Sequence, residues 1–215
     1  MKKILHFDGA AINAMDNRYR ANFINSITGY KSANLIGTIS KNNDENLAIF
    51  SSVTHIGSNP AMLGFISRPT TVPRHTYENI KQTNVFTVNH IHTEIVLQSH
   101  QTAAAYERDI SEFKATGLET AYLNNWKAPY VKEAHIKIAC EYVNEYEIKE
   151  NGTLFIIGAI KGIIMPDDCL HEDGWVNLES SMGVTINGID SYASPKLIDR
   201  YSYAKPAKLP TSIKK

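Results

Sequence analysis

Residues 135–165 read HIKIACEYVNEYEIKENGTLFIIGAIKGIIM. Ile136, Ile138, Cys140 and Tyr142 alternate with His135, Lys137 and Glu141, the period of two that puts successive side chains on opposite faces of a strand. The run continues to Glu150, meets Asn151-Gly152, and resumes from Thr153 to Met165. Asn-Gly supplies the two positive φ angles of a type I′ turn, so the two arms are expected to form one long antiparallel hairpin. The triplet Asn151-Gly152-Thr153 also spells a glycosylation sequon. With no secretory signal, the turn is the reading adopted.

The segments before this hairpin repeat the period of two. Ala33–Ser40 and Leu47–His55 flank Lys41-Asn42-Asn43-Asp44-Glu45-Asn46, a polar cluster of turn formers, and read as a second hairpin. Ala61–Ser67 and Asn84–Ile91 are two further strands, with a short helix expected from about Thr76 between them. Met15, Tyr19, Phe23 and Ile27 recur every four residues and mark a helix that Gly29 stops. Glu94–Ala105 and Ser111–Phe113, ending at Gly117, form a helical excursion. The count is six antiparallel strands with inserted helices. Closure into a barrel would remove the exposed edges of such a set.

The chain has 215 residues, 22 Lys+Arg against 22 Asp+Glu, 43% hydrophobic and 20% charged residues, the composition of a globular domain. Zero net charge weighs against nucleic acid, which demands a basic surface, and leaves room for self-association. The longest apolar stretch, Leu154–Met165, is interrupted by Lys161 and too short to cross a bilayer, so no membrane partner is expected. Cys140 and Cys169 form no CxxC, and two thiols without a leader suit the reducing cytoplasm. Neither GxGxxG nor GxxxxGK[ST] nor GxSxG occurs. Hydrolytic and thiol chemistry lack support, and any redox activity would have to come from a cofactor.

Two polar clusters could hold a ligand. Residues 46–60 place Ser51, Ser52, Thr54 and Ser58 among small residues. Residues 67–76 bring Ser67, Arg68, Arg74 and Thr76 together at an expected helix start, the donor set a phosphate monoester requires. The alternative is that Thr76 merely caps its helix while the arginines are solvated. His90 and His92 share a face at a strand end and would need a third ligand to hold a metal. They read as two polar residues at a strand end, and no metal is expected.

Several of these stretches resemble the flavin reductase-like proteins of the FMN-binding split-barrel superfamily. Gly29–Thr38 and Asn46–Val53 are similar to its first hairpin, and Gly57–Phe65 to its SxxPPLxxF strand. Arg74–Ile80 is similar to the RxTxxNI helix start, and Asn84–Asn89 to GxFxVN. Ser111-Glu112-Phe113 with Gly117-Leu118 resembles DEFxxxGL, and Gly158–Ile164 resembles IGEVxxI. Ala61 stands where the family commonly has a second small residue or proline, and His75 where it often has an acid.

The resemblance implies a mainly β protein, a six-stranded Greek-key split barrel with peripheral helices that binds FMN, usually as a homodimer. It implies a helical extension over 1–28, the FMN-binding domain over 29–206 and a flexible tail over 207–215. Phe50, Ser51, Ser52 and Val53 would lie beside the flavin ring. Ser67, Arg68, Arg74 and Thr76 would surround the ribityl phosphate, with His75 among the cofactor-binding positions. Asn89 and His90 would line the site, and Ser99, His100, Gln101 and Thr102 would close over the ring. The implied activity is hydride transfer from NADH or NADPH to bound flavin, with no catalytic side chain named. Three matters stay open: a carrier role without turnover, another phosphorylated ligand such as pyridoxal phosphate, and a monooxygenase as electron acceptor.

Overall fold

The computed structural model describes residues 2–214. Two helices, α1 (Gly9–Asn13) and α2 (Asn17–Ile27), lead into strands β1 (Lys31–Ser32), β2 (Asn34–Ile39), β3 (Glu45–Phe50), β4 (Thr54–Ser58) and β5 (Ala61–Ser67). Helix α3 (His75–Thr83) and strand β6 (Val85–His90) follow, then α4 (Val96–Gln101), α5 (Glu112–Thr116), β7 (Thr120–Ala121) and β8 (Tyr130–Val131). The long hairpin is β9 (Lys137–Ile148) and β10 (Thr153–Ile164), and β11 (Thr185–Asn187) and β12 (Ser191–Ala193) complete the set.

Seven strands form one antiparallel sheet in the order β3-β2-β6-β9-β10-β5-β4, so the protein is mainly β with peripheral helices. The six strands expected become seven because the run 47–55 is not continuous. It breaks at Ser51, and Thr54–Ser58 turns away to pair with β5 instead. Chain neighbours β3 and β4 thereby become the two opposite edges of the sheet.

The hairpin forms, but its turn differs from the expectation. Only Gly152 has positive φ (+70°). The loop spans Lys149–Gly152, closed by hydrogen bonds from the Asn151 and Gly152 N–H groups to the Ile148 carbonyl at 3.2 and 2.8 Å. The Asn151 carboxamide oxygen accepts from the Thr153 N–H and hydroxyl, an Asx turn that holds Asn151 out of the left-handed region. Along the strands the register slips at Ile157/Gly158 and Ile160/Gly162. Such bulges bend a strand and raise its twist, which is what a curving wall requires.

The alternation expected of β9 is present: Ile138, Cys140 and Tyr142 share a core with Phe65, Phe86, Val88, Ile156 and Ile80. On β2, Ile36 enters this cluster while its neighbour Leu35 enters another, with Leu47, Ile91, Phe113, Val131 and Ile186. β2 is thus buried on both faces. Buried Asn89 ties the layers together. Its carboxamide donates to the Leu35 carbonyl (3.2 Å) and Thr87 Oγ1 (2.9 Å), and accepts from the Val131 N–H (3.0 Å).

The glycine at the first bulge, Gly158, is required by packing. A Cβ there would stand 2.5 Å from Cζ of the Phe86 ring. Phe86 is fully buried and stacked edge-on against Phe65 at 5.6 Å, so the ring has no room to retreat. Overpacking of this kind costs about 1–3 kcal/mol. Gly158→Ala is expected to lower the melting temperature by roughly 3–10 °C in a thermal unfolding scan, and an unchanged melting temperature would show that Phe86 can move.

Candidate functional site

The connection Ser51–Val53, where the chain leaves one sheet edge for the other, is the floor of the site. The Ser52 hydroxyl accepts from the Ile66 N–H (3.0 Å) and lies 3.3 Å from the Ile66 carbonyl, replacing a ladder contact where β4 does not reach. The Ser32 hydroxyl donates to the Val53 carbonyl at 2.9 Å. Among the described residues, the N–H groups of Ser51, Ser52 and Val53 donate to no protein acceptor. Backbone donors in a half-buried segment are normally paired, so these stand ready for water or a ligand.

A cleft of about 690 Å³ opens above this floor. Ile66, Ser67 and Arg68 at the end of β5 and Val72–Tyr77 border it, as do Thr102–Glu107, Glu112, Ile186 and Ile189. At α3 the N-cap residue Arg74 makes no side-chain cap bond, Glu78 Oε1 accepts the Arg74 N–H at 3.0 Å, and the N–H groups of His75, Thr76 and Tyr77 have no partner among the described residues. Thr76 is therefore not the cap that one sequence reading allowed. It lies inside the first turn, 8% exposed, and its hydroxyl accepts from the Asn46 side chain at 3.0 Å, which frees the hydroxyl proton to donate elsewhere. Arg74 gives its Nε–H to the Pro69 carbonyl (3.1 Å), which fixes the arm and leaves the terminal nitrogens free. Neither Arg68 nor Arg74 forms an ion pair among the described residues. Free cations, a hydroxyl and uncapped helix N–H groups in one cleft suit a phosphate monoester.

Nine of the fifteen residues singled out in the sequence line this cleft: Phe50, Ser51, Ser52, Ser67, Arg68, Arg74, His75, Thr76 and Thr102. Val53 packs beneath it against the barrel core. Asn89 is fully buried with its amide committed to backbone and Thr87. Ser99 is buried in α4 with an unpartnered hydroxyl. His100 Nδ1 lies 3.0 Å from the Tyr192 hydroxyl, and Gln101 donates to the Tyr106 hydroxyl at 3.1 Å. These two hold neighbouring segments rather than facing the cleft.

His92 is buried, stacks on His135 with ring centroids 4.1 Å apart, and its Nε2 meets the Glu133 carbonyl at 3.1 Å. No group of three or more metal-ligating side chains is found among the described residues.

The sequence reading missed the Ala103–Glu107 loop, Glu112, Ile186 and Ile189. Glu112 lies inside a motif already quoted, so a signal for it was present. Ile186 reaches the cleft only because β11 pairs with β1, a contact across more than 150 residues of chain that no local pattern announces.

Residues 30–179 match the flavin reductase like domain. The chain belongs to that family. A flavin reductase with a split barrel domain from Shewanella frigidimarina NCIMB 400, an assignment by inference for that protein, superposes with a TM-score of 0.90 at 45% identity, covering 93% of this chain and all of that one. Nitrilotriacetate monooxygenase component B from Bacillus cereus gives a TM-score of 0.78 at 17% identity over 92% and 98% of the two chains, a likeness of fold. An uncharacterized protein of Aquifex aeolicus (strain VF5) is 28% identical over 149 residues, 67% of this chain and 74% of its own. Membership of the flavin reductase-like family carries the split-barrel fold and a flavin-related function. No helix among the described residues is long and apolar enough to cross a membrane.

One titrating group should be visible in solution. Burial lowers the pKa of His90 to about 4. The unfolded chain then takes its proton near pH 6.5 while the folded protein resists until about pH 4, so stability is complete above 6.5 and falls as pH drops through that window. The loss should approach about 3 kcal/mol. Urea unfolding at pH 7 and pH 4.5 is expected to show it, with a shallower pH dependence in His90→Asn; identical slopes would place the loss elsewhere.

Proposed function

We propose that this protein is an NAD(P)H-dependent FMN reductase acting on one bound flavin. The observation that carries the reading is the meeting, in one cleft, of Arg68 and Arg74 free of ion pairs and the Thr76 hydroxyl proton with the backbone N–H groups of Ser51 and Ser52, which have no acceptor among the described residues. A flavin mononucleotide needs both: an anion anchor at one end and fixed donors for the ring at the other. When bound, FMN supplies the ring that accepts a hydride from NADH or NADPH.

The protein's own part is placement and charge stabilisation. Arg68, Arg74, Thr76 and the α3 N–H groups would bind the phosphate. The N–H groups of Ser51 and Ser52 are preorganised donors for negative charge that develops on the ring. Ile186, Ile189 and Val72 would screen the ring edge from water. Hydride transfer between stacked rings depends on orientation more than on an acid or base. Asp and Glu residues in the cleft are few, and no nucleophile–base pair is needed.

Homodimerisation belongs to the same reading. Ile4, Leu5, Ile198, Tyr203 and Leu209 are each at least two-thirds exposed, an apolar load at both chain ends that a second copy would cover. The name of the Bacillus cereus neighbour suggests the electron acceptor: a separate monooxygenase component fed by reduced flavin.

Two measurements test the proposal. Arg74→Ala combined with Thr76→Ala removes charge-assisted hydrogen bonds of about 1.5–3 kcal/mol each, so FMN affinity should fall about a hundredfold or more while circular dichroism stays that of the folded protein. Unchanged flavin content on purification would remove the phosphate from this end of the cleft. Anaerobic addition of NADH and of NADPH to the FMN-loaded protein should bleach the oxidised-flavin band near about 450 nm. A band that persists with both would make the protein a carrier rather than a reductase.

A further inference from the structure

Glu112 presents a carboxylate to the cleft that the phosphate and ring contacts leave unused. The residue is 7% exposed, stands at the first position of α5, and lines the cleft. Its Oε2 accepts the Leu47 N–H at 2.9 Å. No cation pairs with it among the described residues. Burial raises its pKa, against the Leu47 N–H and the residue's own backbone N–H, which favour the ionised form. A carboxylate offers about four acceptor positions, and backbone N–H groups leave part of that capacity open. Neither carboxylate oxygen is among the buried side-chain atoms left without a partner, so the second oxygen is not sealed off and can be met by water or a ligand.

The position of this acceptor along the cleft is set by β3. Leu47 binds Glu112 through its N–H, and the preceding residue, Asn46, donates its side-chain amide to Thr76 Oγ1. Consecutive residues of one strand thus hold the carboxylate and the hydroxyl of the anion-binding end. A bare anion bound at Thr76 would be repelled by Glu112. A ligand whose phosphate is followed by hydroxyl groups would instead supply the donors that Glu112 lacks.

We propose that Glu112 is a specificity residue that accepts hydrogen bonds from the hydroxyls of a polyol phosphate, here the ribityl chain next to the FMN phosphate. The inference rests on the reading of the Arg74–Thr76 end as a phosphate subsite. It adds a selection rule: phosphates carrying vicinal hydroxyls are retained, and phosphates without them are disfavoured. Pyridoxal phosphate, whose phosphate adjoins a single methylene, falls on the disfavoured side.

Glu112→Gln tests this, since the Gln oxygen can still accept the Leu47 N–H. Apoprotein and variant are titrated with FMN, riboflavin and lumiflavin by flavin fluorescence, and with ribose 5-phosphate and inorganic phosphate by calorimetry. Replacing the charged acceptor should weaken FMN, riboflavin and ribose 5-phosphate about tenfold or more. Lumiflavin, which lacks the ribityl chain, should bind both proteins equally. Inorganic phosphate should bind the variant more tightly, because a like charge has gone. An equal loss for lumiflavin, or unchanged FMN and ribose 5-phosphate affinities, would overturn the assignment. Failure of the wild-type protein to take up any flavin would refute the flavin reading alone. In that case the opposite responses of ribose 5-phosphate and inorganic phosphate would still decide the role of Glu112.

Discussion

The two edges of the main sheet are neighbours in the chain, joined by the three residues Ser51–Val53. Everything about the site depends on that constraint. Three residues are too few to turn away from the sheet and return, so the edges must meet, and the sheet has to curl until they do. They meet without a continuous ladder. The Ser52 hydroxyl stands in for the missing backbone partner of Ile66, and Ser32 secures the far side of the connection at Val53. The seam is therefore closed by side-chain hydroxyls, while the backbone donors of the connection meet no acceptor among the described residues. A fully laddered barrel would have consumed those N–H groups and left no polar floor for a ligand.

The cleft above the seam has a polarity that neutrality of the whole chain conceals. Arg68, Arg74 and the uncapped start of α3 concentrate positive potential at one end, and Pro69 and Asn46 fix the Arg74 and Thr76 side chains in place. Glu112 adds an acceptor one β3 residue away. A single phosphate is enough to use this cationic end, whereas a polyanion needs a continuous basic surface. On the proposed reading, local placement of a few charges, rather than their balance, selects the ligand class. The buried polar residues that do not face the cleft serve it indirectly. Asn89 and His100 hold β2 and β12, the segments on which the walls rest.

Much of the fold was legible from residue order because the strands announce themselves locally. The alternation of Ile138, Cys140 and Tyr142 reflects one buried face and needs no knowledge of the partner strand. The break at Ser51 was not legible, since Leu47–His55 keeps good strand composition throughout; only competition between β2 and β5 for pairing decides where one strand ends. The turn at Asn151-Gly152 misled for a similar reason. Asn-Gly is compatible with a two-residue turn, but the register of β9 on β10 demanded four residues and put the Asn side chain to use within the loop.

At the site, the cationic end of the cleft was readable because Arg68, Arg74 and Thr76 fall within ten residues and a helix start organises them. By itself the sequence determined most strands of the main sheet, the pairing of its two long hairpins and the chemical character of that cluster of cations and hydroxyls, all properties of short-range order. The tertiary structure alone decided that Asn89 is spent on backbone carbonyls, that Ile186 arrives from a distant strand, and that Glu112 faces the same cleft as Thr76. Those outcomes depend on which edges meet when the sheet closes, and closure is a property of the whole sheet rather than of any one segment.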